Sequence, residues 1–434
     1  MERQIERALR PGEFIYDRAT FAFVSGLEQV ANGIKELVAS EPSRAAALCE
    51  AFLAGCHAKA EQLDDSSGNF GMFVKDLICL WIKGRQAEGA DPDDTAATLL
   101  RWMDDDPYAF CYQIEKETSA AFDKAGLAAF EKKMRARLEA ASTDPSSWPY
   151  RRAAEILRAI YCAQKNSPAY VALAEETGLK PEDCLAIAKL LAARKPDEAL
   201  AWVEHGRALD REKQFQSTAA YDLDKLHREL LIRLGRGGEA LEAAWTDFRD
   251  HPSKYSYDDL MKFAPKAKRR EWHEKAMDAA KRADLHSLIE LFVETKETER
   301  LAELVRGVAD QKLEQVSHHA TEPAAKKLEK SFPNLAARLW RAQAMRIVDA
   351  KKSRYYDAAL RNFERARDCY TRAGLAAEWE QTVRQVCAAH FRKSGFIGEF
   401  QRLAAGAKRG EQPSFLELAK QHWGKRTNHE EEHS

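Results

Sequence analysis

Val24-Ser25-Gly26-Leu27-Glu28-Gln29-Val30-Ala31-Asn32-Gly33-Ile34-Lys35-Glu36-Leu37-Val38 spaces its apolar residues Val24, Leu27, Ala31, Ile34 and Val38 by three and four positions. That spacing holds them on one face of a 3.6-residue helix, so the stretch reads as an amphipathic α-helix with a single buried side. The following segment repeats the pattern with Cys49, Phe52, Cys56, Ala60 and Leu63, and a third stripe comes at Phe70, Phe73, Val74, Leu77 and Trp81. Strict two-residue alternation is almost absent from the chain. Helices joined by short links run antiparallel to their neighbours, and hairpins with one apolar face each must stack to bury it.

The punctuation agrees. Pro42, Pro92, Pro168, Pro181 and Pro196 each precede a helix-period segment, where a missing N–H costs little and φ is already set. Asp93-Asp94 and Glu182-Asp183 place negative charge at the positive end of the helix dipole. Gly178, Gly235 and Gly374 fall where helices should stop. Roughly fifteen to seventeen helices are expected, most of ordinary length. Glu198-Ala199-Leu200 recurs as Glu239-Ala240-Leu241, with looser versions at Glu299-Arg300-Leu301 and Ala358-Ala359-Leu360 at irregular intervals. Ala359-x3-Phe363-x2-Ala366 matches the second helix of a tetratricopeptide unit. The fold class read from these features is all-α, with antiparallel helical hairpins stacked as a degenerate tetratricopeptide-like α-solenoid.

The chain has 434 residues, 45% hydrophobic and 32% charged, which is a globular composition. Lys and Arg (68) nearly cancel Asp and Glu (69), but unevenly along the sequence. Residues 1–145 carry 17 basic and 25 acidic side chains, whereas residues 146–427 carry 51 and 41. With the loop-rich Ala141-Ser142-Thr143-Asp144-Pro145-Ser146-Ser147-Trp148-Pro149, this sets the expected boundary near 145. The division is then an acidic N-terminal helical block (1–145), a helical-repeat array (146–406) and an extension (407–434) ending in a disordered acidic tail. The longest apolar run, Leu77 to Ile82, is far short of a membrane span, and Met1-Glu2-Arg3-Gln4 lacks the apolar core of a signal peptide. Eight cysteines with no C-x-x-C pair fit reduced thiols in a cytoplasmic protein.

Two stretches carry a resemblance. One is Asp64-Asp65-Ser66-Ser67-Gly68-Asn69-Phe70-Gly71. The other runs from Tyr356-Asp357-Ala358-Ala359-Leu360 through Tyr370-x3-Gly374-x3-Glu378-Trp379 to His390-Phe391-Arg392-Lys393-x2-Phe396. Over residues 13–406 the chain resembles an uncharacterised bacterial helical family, a domain of unknown function. The C-terminal part of that family is similar to the helical region of SWIM zinc-finger proteins. The resemblance implies an all-helical fold and a bacterial origin, without an activity. A SWIM finger needs C-x-C followed by C-x-H, and neither pair occurs here, so its metal and nucleic-acid functions do not carry over.

Motif by motif, the chemistry reads as structural. Cys49 and Cys56 share a helix face with Phe52 and Leu53 and read, with His57 beside them, as core packing. His318-His319 point about 100° apart on a helix and do not readily serve one ion. Asp64 to Gly68 lacks the alternating ligands and closing Glu of a calcium loop and reads as a polar turn capping the next helix. Asp104-Asp105-Asp106 reads as a solvated helix end, and Gly235-Arg236-Gly237-Gly238 as a turn between helices. No H-E-x-x-H, phosphate loop or G-x-S-x-G elbow is present, so no cofactor, metal site or catalytic residue is expected.

Three candidate contact surfaces remain. Lys266, Lys268, Arg269 and Arg270 form one basic run, flanked by Trp272 and His273 and diluted by Glu271 and Glu274. Lys132, Lys133, Arg135 and Arg137 form another. Trp379, Val383, Val386 and His390 share a helical stripe, so His390 reads as a packed core histidine. The alternative is that His390, Arg392 and Lys393 line a concave surface for an anionic ligand. The function expected is a non-enzymatic scaffold binding another protein in a concave groove. Nucleic-acid association through the basic faces is the alternative, and an enzyme site between helices the remote one.

Overall fold

The structure, a computed structural model, describes residues 1–10, 12–212, 215–350 and 353–406. Among the described residues the chain forms 23 α-helices and three short 3-10 turns. The one extended pairing among the described residues is an isolated bridge between Ile15 and Leu63. The expected fold class holds: within each of two units, helices pack mainly on their next and next-but-one neighbours, so antiparallel hairpins stack in chain order. The helices outnumber the expectation, and three of the extra ones, Glu2–Ala8, Glu115–Ala121 and Asp310–Gln315, have seven residues or fewer. Fewer than two full turns leave no repeating stripe to detect.

The prolines and glycines behave as their chemistry dictates. Pro42, Pro92, Pro168, Pro181 and Pro196 all lie in the first turn of a helix. Gly178, Gly235 and Gly374 follow helix ends at φ of +89°, +75° and +71°, a region closed to most side chains.

The chain divides into two compact units, Met1–Arg236 and Gly237–Ser434. The division therefore falls at Gly235 to Gly238 and not near residue 145. In the first unit one apolar core runs from Ile5 to Ile187, with Met134 and Leu138 on one side of position 145 and Tyr150, Ala153 and Leu157 on the other. The Ser- and Pro-rich stretch is a helix start: the Ser147 side chain accepts the Tyr150 N–H at 3.4 Å and caps Trp148–Ala163. The second unit has a core from Ala244 to Tyr370 and a smaller one around Phe363, Phe396 and Phe400. Ala359, Phe363 and Ala366 are fully buried, as the tetratricopeptide-like spacing requires. The expected extension at 407–434 lies outside the described residues.

Many basic side chains of the later half cap helices across the stack. Arg233 donates to the carbonyls of Ala192 and Ala193 at 2.6 and 2.8 Å, Arg338 to those of Val305 and Val308, Arg346 to Val316, and Lys393 to Val348. Carbonyls at helix C-termini lack intrahelical donors and carry the negative end of the dipole, so a cation from a neighbouring helix satisfies both.

Candidate interaction surfaces

The two basic runs differ in what their charges touch. Lys133 pairs with Asp93 at 3.2 Å, Arg135 with Glu176 at 2.8 Å, and Arg137 holds both oxygens of Asp104 at 2.7 and 2.6 Å. Arg135 also donates to the Tyr161 hydroxyl at 2.9 Å and lies over its ring. Three of the four cations therefore staple the Lys124–Ala140 helix to its neighbours, and Lys132 alone is exposed without a partner among the described residues. The same contact shows Asp104 to be an ion-pair partner. Asp106 accepts the N–H groups of Phe110 and Cys111 at 2.9 and 2.6 Å. The triplet is the exposed end of helix Pro92–Asp104, as expected, with Asp104 and Asp106 engaged in addition.

Lys266, Lys268, Arg269 and Arg270 are all exposed, on the 3-10 turn Lys266–Lys268 and the start of helix Arg269–Ala280. None of the four side chains forms an ion pair or hydrogen bond among the described residues. Pro265 stands just past the end of helix Lys254–Phe263, which it cannot continue. Glu274, one of the diluting acids, is taken by Arg300 at 2.6 Å. Trp272 and Trp245 sit edge to face at 5.7 Å, and the Lys275 ammonium lies 4.2 and 4.1 Å from their rings. A lysine of the protein itself thus occupies the faces of both indoles.

His273 accepts or donates at both nitrogens, to Tyr257 at 2.8 Å and to Glu297 at 3.0 Å. The line Glu–His–Tyr has the connectivity of a relay, but burial pushes the Tyr257 phenol up, with Asp258 and Glu297 adding to it. The phenol keeps its proton, and the group ties three helices together.

His390, Arg392 and Lys393 do not line one anion-binding surface. His390 is 5% exposed, with Nε2 3.4 Å from Asp349 but not aligned for a hydrogen bond. Lys393 caps Val348, while Arg392 is exposed over the Phe391 ring. Burial lowers the His390 pKa below its ordinary value and Lys393 adds to this, against an opposing pull from Asp349. The folded state therefore binds this proton less readily than the unfolded state, so stability is full above about pH 6.5 and falls as the pH drops through that value. Thermal unfolding at pH 7.5 and 5.5 checks this. His390→Gln should show a smaller loss of melting temperature on acidification than the wild type, and equal losses would refute the assignment.

The remaining candidates are structural. Cys49 and Cys56 are buried, burial pushes both thiols up to about 12, and His57 packs edge-on to Phe110. His318 and His319 are exposed with ring centres 4.0 Å apart, closer than their helical positions suggest. Among the described residues no group of three or more His, Cys, Asp or Glu is placed to hold a metal ion. The Asp64 to Gly68 turn works as a cap, with the Asp65 carboxylate accepting the Phe70 and Gly71 N–H groups at 2.9 and 2.8 Å. A groove of about 650 Å³ lined by Glu115, Arg158, Cys162, Tyr170 and Asp183 brings acids together. However, Glu115 pairs with Arg152 and Asp183 with Arg158, while burial raises both the Cys162 thiol and the Tyr170 phenol.

Sequence reasoning missed a second groove, of about 690 Å³, between helices Asp17–Leu37 and Asn69–Ala87. Its floor is Ala31, Val38, Phe73, Leu77 and Leu80, and its rim carries Glu28, Lys35, Asp76 and Lys83. All four rim charges are exposed, and none forms an ion pair among the described residues. The signal was present in the opening stretch, where Glu28 and Lys35 recur seven residues apart on one side of the helix.

These features define the class as an all-helical, repeat-like protein with charged surfaces. The chain belongs to the DUF6880 family, a family of unknown function, whose profile matches residues 7–399. No curated protein matches it. Among solved structures, it is similar to a circular tandem repeat protein with novel repeat topology and enhanced subunit contact surfaces. That protein is 13% identical over 93% of this chain and 96% of its own, with a TM-score of 0.19. A score that low carries no weight for the fold, which rests on the packing described above. No helix among the described residues is long and apolar enough to cross a membrane.

Proposed function

We propose that this chain is a non-enzymatic helical scaffold that binds another protein, and that Lys266, Lys268, Arg269 and Arg270 receive an acidic segment of that partner. The carrying observation is that these four cations are exposed and unpaired, whereas Lys133, Arg135 and Arg137 are held in ion pairs between helices. Unpaired charges on one short turn give a compact positive field that steers an opposite patch into register. Cytoplasmic location belongs to the same reading, supported by eight cysteines that are all free. So does the likeness to the helical region of SWIM proteins, with this chain as a helical arm without the finger.

Nucleic-acid binding through the same four cations is the second reading. Two observations weigh against it. Single strands are held by aromatic faces stacked on bases, and here Lys275 covers Trp245 and Trp272. A duplex needs cations spread along its backbone, and the second basic run is held in staples. The test is capture of partners from native lysate by the wild type and by a variant with all four residues changed to Glu. A stoichiometric protein that binds the wild type and is lost with the variant is the expected result. Recovery of no protein, or equal recovery by both, overturns the proposal.

A further inference from the structure

The groove between helices Asp17–Leu37 and Asn69–Ala87 has a property that a seat for an arbitrary helix does not need. The two helices are separated by one antiparallel helix, Pro42–Lys59, so they run parallel to each other. The Phe23 and Phe70 rings, 6.3 Å apart, fix their register. At that register Glu28 stands within one residue of the level of Asp76, and Lys35 within one residue of the level of Lys83. Both rims therefore read acid then base over seven residues, or about 10 Å of helix.

We infer that this face is a two-fold interface with a second copy of the chain. An in-plane axis perpendicular to the helices lays each helix antiparallel over its own symmetry mate. Glu28 then meets Lys35 of the second copy and Asp76 meets Lys83, with the reciprocal pairs completing the set. An axis along the helices would instead bring Glu28 to Asp76 and Lys35 to Lys83, like charge against like. The charge order thus selects one of the two arrangements, and a self-complementary patch of this kind is what an isologous dimer requires.

The apolar residues fit the same axis. Met72 is 62% exposed and lies on the face that carries Asp76, Cys79 and Lys83. An axis midway between Asp76 and Lys83 sets Met72 opposite Ala87 of the second copy, where a small side chain leaves room for it. Cys79 and Leu80 then lie at the centre. Phe21, 68% exposed, continues the stripe of Glu28 and Lys35 outward by another seven residues. Large exposed apolar side chains beside an apolar groove are the usual mark of an interaction surface. This inference goes beyond the scaffold reading and uses a different surface.

The test is sedimentation velocity of the full chain over a range of micromolar concentrations. The wild type should dimerise. Lys35→Glu with Lys83→Glu should weaken self-association on the order of a hundredfold, as should Glu28→Lys with Asp76→Lys, because every cross-pair becomes repulsive. An equimolar mixture of the two variants should dimerise again, and so should the chain carrying all four reversals. This recovery shows that the variants are folded. A monomeric wild type, association unchanged by either reversal, or a mixture that stays monomeric overturns the inference. Monomeric wild type that instead binds a synthetic amphipathic helix in the groove also overturns it. None of these outcomes bears on capture at Lys266–Arg270, so the two readings fail separately.

Discussion

Asp183→Asn is expected to lower the stability of the first unit by about 3–5 kcal/mol, the usual consequence of leaving a buried charge without its partner. The Asp183 carboxylate accepts Arg158 Nε at 2.6 Å and Nη2 at 3.1 Å, the Tyr170 hydroxyl at 3.0 Å and the Lys180 backbone N–H at 3.1 Å. It thereby joins Trp148–Ala163 and Ser167–Thr177 to the start of Pro181–Leu191. Its side chain is 3% exposed and that of Arg158 14%, so water cannot replace what is lost. Burial and the Asp183 charge both raise the Tyr170 phenol, which keeps it a donor in this cluster. An amide in place of the carboxylate turns an N–H₂ toward donors and leaves the guanidinium uncompensated. In urea the midpoint should fall with little change in slope. Arg158→Met combined with Asp183→Leu should recover part of the loss, because it removes both charges together. A loss below about 1 kcal/mol, the range of exposed pairs, would contradict this account.

Trp340→Ala is expected to cost about 3–5 kcal/mol in the second unit, through lost burial and the cavity left behind. Trp340 is fully buried, its indole N–H donates to Glu329 at 2.8 Å, and the Arg365 guanidinium lies 4.5 Å from its ring centre. Trp340→Phe separates the contributions. It keeps most of the apolar volume but leaves Glu329 without its donor, so about 1–2 kcal/mol is expected from that loss. Thermal and urea unfolding of the three proteins measures both values. Equal losses for Ala and Phe would place the energy in the hydrogen bond and contradict the packing account.

The helices were legible where the chain offers several turns of one-sided periodicity, as at Val24 to Ile34 and Phe70 to Trp81. Local chemistry also marked their ends, through the five first-turn prolines and the three left-handed glycines. The unit boundary was not legible, because Ala141 to Pro149 has the composition of a linker while the core packs across it. Which apolar surfaces join is decided by contacts far apart in sequence. The candidate surfaces follow the same rule. Lys132 to Arg137 and Lys266 to Arg270 look alike as runs of charge. Partners 33 and 41 residues away, Asp104 and Glu176, neutralise the first run, while the second stays free. The groove rim escaped notice because its meaning depends on two helices standing at nearly the same level.

Competition between an acidic peptide and nucleic acid for the Lys266–Arg270 surface tests the central claim most directly. Wild-type chain is titrated with a poly-glutamate peptide and, separately, with duplex DNA across a salt series, and the variant with all four cations changed to Glu is titrated alongside. The account predicts salt-sensitive binding of the peptide that the variant loses, and duplex binding that is weaker than peptide binding at every salt concentration. Tighter binding of the duplex, lost with the same four substitutions, would contradict it.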